Sequence, residues 1–350
     1  MSERLDIPFS ELTTLRLGGA AGRLIEAGTE DDVVEAVVAA DESVFVMSGG
    51  SNLVVADGGV DGTVIRVANR GLSFSTEGES MRAEVAAGEP WDAVVARCVG
   101  EQLSGVECLS GIPGSTGATP IQNVGAYGQE VSTTISAVRA YDRERRQVVE
   151  LAPEGCGFGY RTSAFKRSER HVVLGVTFVL ERANGARPVQ YAELARTLDV
   201  ELGARPPLPE VREAILSLRR SKGMVIDPGD PDSVSAGSFF VNPILSVEEF
   251  AELERRVVEL LGAQMKPPRW PEAEGRMKTS AAWLIERAGF HRGYGDGRVG
   301  VSRKHTLALV NRGGGTTNEL LNLARELRDG VAEKFGVTLR PEPTLVGVEL

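Results

Sequence analysis

Residues 111–128, GIPGSTGATPIQNVGAYG, leave the chain few options. The run carries glycines at 111, 114, 117, 125 and 128, prolines at 113 and 120, and no charged side chain. It has neither the apolar period nor the helix formers of an amphipathic helix. Ile112, Ile121, Val124 and Tyr127 set it apart from a flexible linker. Glycine lets a backbone approach a ligand closely and take φ values closed to other residues, and turns of this kind present several N–H groups to one anion. Ser115, Thr116, Thr119, Gln122 and Asn123 add neutral donors and acceptors. An uncharged run of this length inside a compact protein reads as a functional loop, here one for a cofactor phosphate. The plainer reading is a long surface loop rich in turn residues.

The chain around it has 350 residues, 42% hydrophobic and 25% charged, which suits a soluble globular protein of two or three domains. A net charge of −10 argues against a general nucleic-acid binder, which needs a basic face. It leaves room for a local basic pocket. Cys98, Cys108 and Cys156 form no CxxC or HxxxC spacing, and His171, His291 and His305 are scattered, so no metal site is expected. The opening MSERLDIPFS is too polar for a signal peptide. The longest apolar run, residues 172–180, is far short of the roughly 20 residues that cross a membrane. The expectation is a cytoplasmic protein, a monomer, with no membrane or nucleic-acid partner.

Thr29 and Asp32 mark a helix start before 33–40. A strand at 44–47 follows, then Ser48-Gly-Gly-Ser-Asn52 and a second strand at 53–56: a strand–turn–strand that is a second candidate phosphate loop. Further strands are predicted at 63–67 and 82–87, and a helix with Pro90 in its first turn runs to Gly100. Residues 134–180 read mostly as strand, with a charged turn at 142–146. A basic helix at 209–222 precedes a loop at 227–231, a plausible domain boundary. Capping boxes at Ser246/Glu249 and Thr316/Glu319 open helices to Leu261 and about Phe335. A helix at 279–288 closes on Gly289, 305–310 reads as a strand, and 338–350 as a strand broken by Pro341 and Pro343. The GxxGxxG spacing at 111, 114 and 117 is not the GxGxxG dinucleotide fingerprint, and no GxxxxGK[ST] or GxSxG motif occurs.

Residues 112–114 and 120–128, with Thr13-Thr-Leu-Arg-Leu-Gly-Gly19, Gly49-Gly-Ser-Asn52, Tyr160-Arg161, Ala236-Gly-Ser-Phe-Phe240, Asn242-Pro243 and Pro341-Glu342, resemble in this order the UDP-N-acetylenolpyruvoylglucosamine reductase family. The family is also called UDP-N-acetylmuramate dehydrogenase, and the resemblance covers nearly the whole chain. It implies an α+β protein with an FAD-binding PCMH-type (vanillyl-alcohol-oxidase-like) fold and a third α+β substrate-binding domain. The corresponding division is 1–68 and 69–222 with 333–350 for the two FAD-binding subdomains, and 223–332 for the UDP-sugar. Noncovalent FAD, reduced by NADPH, would then reduce the small-molecule substrate UDP-N-acetylglucosamine enolpyruvate to UDP-N-acetylmuramate for peptidoglycan synthesis.

The resemblance also carries roles. Gly49, Gly50, Ser51, Asn52, Ile112, Pro113, Gly114, Ser115, Gln122, Asn123, Gly125, Ala126 and Tyr127 match cofactor contacts. Hydride delivery to the vinyl carbon pushes negative charge toward the carboxylate, which calls for preorganised stabilisation. Arg161 matches the arginine in that role. Glu342 matches the family glutamate, which serves best protonated or paired with Arg161. Ser238 matches the proton donor. Taken singly, these three would be a surface arginine, a strand-end carboxylate and a turn serine. Tyr160, Tyr191, Lys222, Asn242, Arg292 and His305 match substrate contacts, Tyr191 marking the longer variant with a tyrosine loop. His305 and Trp270 stand where relatives often carry glutamine and tyrosine, and Thr344 where many carry arginine. Two alternatives stay open: an FAD-dependent sugar or alcohol oxidase of the same fold, and a nonenzymatic UDP-sugar-binding protein.

Overall fold

The structure, a computed structural model, describes residues 1–40 and 44–350. The chain forms two compact units. The first comprises Met1–Ile7, Ala21–Gly50 and Val60–Ser221, and the second Pro8–Ala20, Ser51–Gly59 and Lys222–Leu350.

The first unit is built on two larger sheets and one short hairpin among the described residues. In the smaller of the two sheets, strands lie in the order Ser2–Pro8, Ala20–Ala27, Val60–Val67, Val44–Met47, and the last three run parallel. The helix Glu30–Ala39 joins two of them and starts at Thr29 as expected, where a capping box forms, the Thr29 hydroxyl accepting from the Asp32 N–H and Asp32 reaching back. The larger sheet is antiparallel, in the order Gln147–Leu151, Ile135–Asp142, His171–Arg182, Ser80–Ala86, Leu72–Glu77, with Leu103–Ser104 also on the central strand. Residues 152–170 are not strand, contrary to expectation: Pro153–Cys156 is a 3-10 turn closed by Gly157 at φ 56°. The helix Trp91–Gly100 begins just after Pro90 and buries Trp91, whose ring lies 5.5 Å from that of Phe178. Full burial of a large apolar side chain contributes roughly 1.5–3 kcal/mol.

The helix Leu208–Ser221 matches its prediction, and buries Leu208, Val211, Ile215 and Arg219. That spacing is one helical face, so a cation occupies a position the period assigns to an apolar residue. The short helix Ala192–Leu198 had no clear sequence signal: Tyr191 is its N-cap and gives no side-chain capping bond.

In the second unit, Ser235–Ser238, Ala308–Asn311 and Val299–Val301 form an antiparallel sheet. Ile244–Leu245, Met277–Lys278 and Trp270–Pro271 form another, and Leu53–Val55 pairs in parallel with Thr344–Val346. The helix Thr317–Phe335 buries Leu320, Ala324, Leu327, Val331 and Phe335, again one face. Its capping box at Thr316 and Glu319 is present, as is that of Val247–Leu261 at Ser246 and Glu249. Two expectations shift. The helix Ala281–Ala288 is capped by Ser280 because the Thr279 hydroxyl donates instead to the Pro268 carbonyl at 2.8 Å. His305 lies in a turn, not a strand: the Ser302 hydroxyl accepts from the N–H groups of Lys304 and His305, and pairing begins at Ala308. Of the predicted strand at 338–350, Thr344–Val346 is present. Among the described residues no helix is long and apolar enough to cross a membrane.

Candidate functional site

In the first unit the glycine loop is laid on the turn that leads from Ser80–Ala86 into the helix Trp91–Gly100. The Trp91 N–H donates to the Gly114 carbonyl at 3.0 Å, the Thr116 N–H to Glu89 at 2.8 Å, and the Gly117 N–H to Ala87 at 2.8 Å. The Gly111 N–H donates to Asp92 Oδ1 at 2.6 Å. Gly49 also meets the loop. A Cβ there would stand 2.7 Å from the Gly114 Cα, so only glycine permits this approach of two backbones.

The far end of the loop is a hairpin, Gly125–Ala126 against Gln129–Glu130. Tyr127 at φ 48° and Gly128 at φ 87° make its two-residue turn, the type in which both central residues take positive φ. Asn123 at φ 46° and Arg161 at φ 53° are left-handed too. Such a backbone costs a non-glycine residue roughly 1–2 kcal/mol, so three of them together imply a strong local constraint. The Asn123 side chain supplies much of it. Its amide donates to Glu130 Oε2 at 2.9 Å and the Gly159 carbonyl at 3.1 Å, and accepts from the Ser132 N–H at 3.1 Å. Arg161 donates to the carbonyls of Asn123 at 3.3 Å and Gly125 at 2.5 Å, and its guanidinium lies 5.2 Å from the Tyr160 ring centre. Its side chain is 18% exposed, so it is not the surface arginine that composition alone would suggest.

Tyr127 meets Tyr191 edge to face, ring centres 5.5 Å apart. Burial pushes the Tyr127 hydroxyl up to about 12, so the phenol stays neutral as a donor. Tyr191 is exposed. The charge of the buried Arg219 acts on Tyr127 and Asp92, and burial lowers its own pKa.

In the second unit a run of bonds joins Asn52, Thr344, Glu342 and Phe239, the residue after Ser238. The Thr344 N–H donates to the Asn52 carbonyl at 3.0 Å, the Asn52 amide to the Glu342 carbonyl at 3.5 Å, and the Glu342 N–H to the Phe239 carbonyl at 2.9 Å. Thr14 adds a tie, its hydroxyl donating to the Ser235 carbonyl at 2.7 Å with the Ser51 carbonyl at 3.4 Å. Ser238 is half-buried beyond Gly237, whose φ of 73° marks an irregularity in the pairing with Ala308. The Asn242 Oδ1 accepts from the Ala281 N–H at 3.0 Å, at the start of a helix. His305 Nδ1 accepts from the Leu307 N–H at 3.1 Å, which leaves the ring proton on Nε2. Arg292 is 63% exposed and 4.0 Å from Glu286. Trp270 is exposed on its short strand, and Lys222 opens the unit's long C-terminal segment. Thr14, Asp92 and Glu130 escaped sequence reasoning as members of these networks. The acid in a first helical turn at Asp92 was the one local signal.

Residues 230–346 match the family model described as UDP-N-acetylenolpyruvoylglucosamine reductase, C-terminal domain, and residues 21–150 match the FAD binding domain model. The chain is 56% identical over 349 residues to the UDP-N-acetylenolpyruvoylglucosamine reductase of Thermobifida fusca, covering 99% of this chain and 98% of that protein. It is 56% identical over 355 residues to the reductase of Streptomyces coelicolor, covering 100% and 92%. A crystal structure of UDP-N-acetylenolpyruvylglucosamine reductase from Thermus caldophilus superposes with a TM-score of 0.62 at 24% identity, covering 99% of this chain and 98% of that one. The expected fold class, α+β and FAD-binding, holds on these grounds.

Proposed function

Because the chain belongs to the UDP-N-acetylenolpyruvoylglucosamine reductase family, we propose that it reduces the enolpyruvyl ether of UDP-N-acetylglucosamine to UDP-N-acetylmuramate in peptidoglycan precursor synthesis. FAD is the cofactor and NADPH the reductant. The observation that most supports this chemistry is the run of bonds joining Asn52, Thr344, Glu342 and Phe239, which ties the backbone of the acid to that of the residue after Ser238. The residues fit FAD: the uncharged loop abuts the Gly49 turn with no room for a side chain, as a backbone cradle for a diphosphate requires.

When bound, the flavin supplies hydride equivalents taken from NADPH. The remaining work falls to side chains. Ser238 holds the proton that the substrate carbon takes up; a serine does this when its hydroxyl is fixed at bonding distance and its alkoxide is stabilised. Arg161, fastened by two carbonyls and backed by Tyr160, is a preorganised cation for the charge that spreads into the substrate carboxylate. Glu342 serves as a protonated or Arg-paired group beside that charge. Gly49, Gly50, Ser51 and Asn52, with Ile112, Pro113, Gly114, Ser115, Gln122, Asn123, Gly125, Ala126 and Tyr127, are read as the FAD contacts. Asn123 would contribute by holding the loop and presenting its backbone, since its amide is engaged internally. Tyr160, Tyr191, Lys222, Asn242, Arg292 and His305 are read as substrate contacts, His305 through its Nε2–H.

We further read residues 1–68 and 69–222 with 333–350 as the two lobes for FAD and 223–332 as the UDP-sugar domain. The protein is read as a cytoplasmic monomer whose product feeds the wall on which cell shape and division depend. The test is spectroscopic. Purified protein should be yellow, bleach with NADPH under nitrogen, and recover its colour on addition of the enolpyruvyl substrate. Recovery with oxygen and oxidation of a sugar alcohol, but none with the enolpyruvyl ether, would instead make it an oxidase. A colourless protein that bound UDP-sugar in calorimetry would make it a binding protein.

A further inference from the structure

Three backbone bonds lay residues 114–117 on the turn at 87–91, and the turn is itself held from beneath. Asn69 accepts from the Gly88 N–H at 2.9 Å and donates to the Leu174 carbonyl at 2.9 Å. The first residue of the loop is held differently. The Gly111 N–H donates to Asp92 Oδ1 at 2.6 Å, and Arg212 clamps the same carboxylate, Nη1 to Oδ1 at 2.7 Å and Nη2 to Oδ2 at 2.9 Å. Asp92 lies in the first turn of one helix and Arg212 in another, 120 positions later.

The bidentate geometry fixes both the direction and the height of the carboxylate. The Arg212 side chain is only 15% exposed, so screening by water is limited on that side of the pair. Burial pushes the Asp92 pKa up, but the bond from Arg212 and that from the Gly111 amide outweigh it and hold the carboxyl below its usual range. The group is therefore ionised at neutral pH. A neutral hydrogen bond would have sufficed to close a turn. An ionised acceptor held by an arginine fork makes a shorter, stronger bond to Gly111 and removes freedom from the start of the loop. Such preorganisation strengthens ligand binding by lowering the ordering cost.

We infer that Asp92 and Arg212 are positioning residues that preset the start of the glycine loop for the dinucleotide, acting through the Gly111 amide. The inference rests on reading residues 111–128 as the FAD loop. The experiment is titration of FAD into the flavin-free protein, followed by flavin fluorescence, with the unfolding midpoint of each flavin-free variant measured in parallel. Asp92→Ala removes the acceptor and is expected to raise the FAD Kd at least tenfold. Asp92→Asn keeps an oxygen for the Gly111 N–H without the charge and should fall between wild type and Asp92→Ala. Arg212→Gln keeps the Asp92–Gly111 bond but loosens its clamp, and should raise the Kd at least threefold. At saturating FAD, the circular dichroism of the bound flavin band should also change in Asp92→Ala, which a loss confined to global stability would not produce. Should Asp92→Ala fail to fold, Arg212→Gln and Asp92→Asn carry the test. Wild-type protein that binds FAD alongside variants that bind it within twofold would overturn this inference alone. Wild-type protein that binds no FAD would overturn the loop reading and this inference with it.

Discussion

At the scale of single residues, the chemistry rests on groups that are ordinary until their surroundings act on them. Ser238 follows a glycine at φ 73° in an irregular strand. Proton transfer by a positioned group contributes about 10²–10⁴ in rate. Ser238→Ala is therefore expected to bleach with NADPH as fast as wild type, and to reoxidise with the enolpyruvyl substrate slower by ~10²–10⁴ in stopped flow. Equal reoxidation rates would remove Ser238 from the reaction. Asn123 offers a test of the loop's internal support. It is 1% exposed and makes three bonds through its amide. Truncation to alanine strands the Ser132 N–H and removes the ties to Glu130 and Gly159, and a buried unsatisfied polar group costs about 1–3 kcal/mol. Asn123→Ala should lose about 2–3 kcal/mol in urea unfolding; a loss under about 0.5 kcal/mol would mean the loop holds its shape without that amide. The sequence marked Asn123 as a polar member of the loop. Its internal use depends on Glu130 and Gly159 folding back to it, and nothing in the residue type announces that.

At the scale of elements, helix starts were legible because a cap and its partner lie within four residues of one another. Thr29, Ser246 and Thr316 all form the boxes their spacing implies. Thr316→Ala should lower stability by about 1 kcal/mol, the usual worth of such a cap, read as a shift of the urea midpoint at constant slope. A changed slope would mean that the second unit had lost cooperativity instead. Strands were less legible. Residues 305–310 read as a strand, but pairing begins at Ala308, where Ser238 becomes a register partner. The turn before it is built by the Ser302 hydroxyl. A strand's limits are set by a neighbour that is remote in sequence, so local pattern alone overruns them.

At the scale of the whole molecule, carboxylates clamped by arginines tie stability to pH. The Asp142 side chain is 1% exposed, accepts from Arg170 at 2.8 Å and from the N–H groups of Glu144 and Arg145 at 3.0 Å, and is held well below the carboxylate range chiefly by Arg170. Asp92 shifts the same way, and Glu252 falls to about 2 through Arg255 and Arg256. A group depressed in the folded state contributes fully above its unfolded pKa, near 4, and loses that contribution as pH falls through the folded value. His171, lowered by burial, adds in the same direction between about pH 7 and its folded pKa, because the unfolded chain takes up the proton first. The urea midpoint should thus fall steadily from pH 7 to pH 3. Asp142→Asn should be less stable at pH 7 and show a shallower acid limb; an unchanged limb would assign the acid sensitivity elsewhere. The amino-acid order by itself determined the uncharged glycine loops, the helix caps and the family pattern, because each is carried by residue types within a short span or in a set sequence of motifs. Tertiary structure alone decided that Asp92 would grip Gly111 under the hold of Arg212, and that Asn52 would share a ladder with Glu342 and Phe239. Those bonds join segments between about 20 and 290 positions apart, and directional bonds at such separations exist only once packing has fixed which backbones meet.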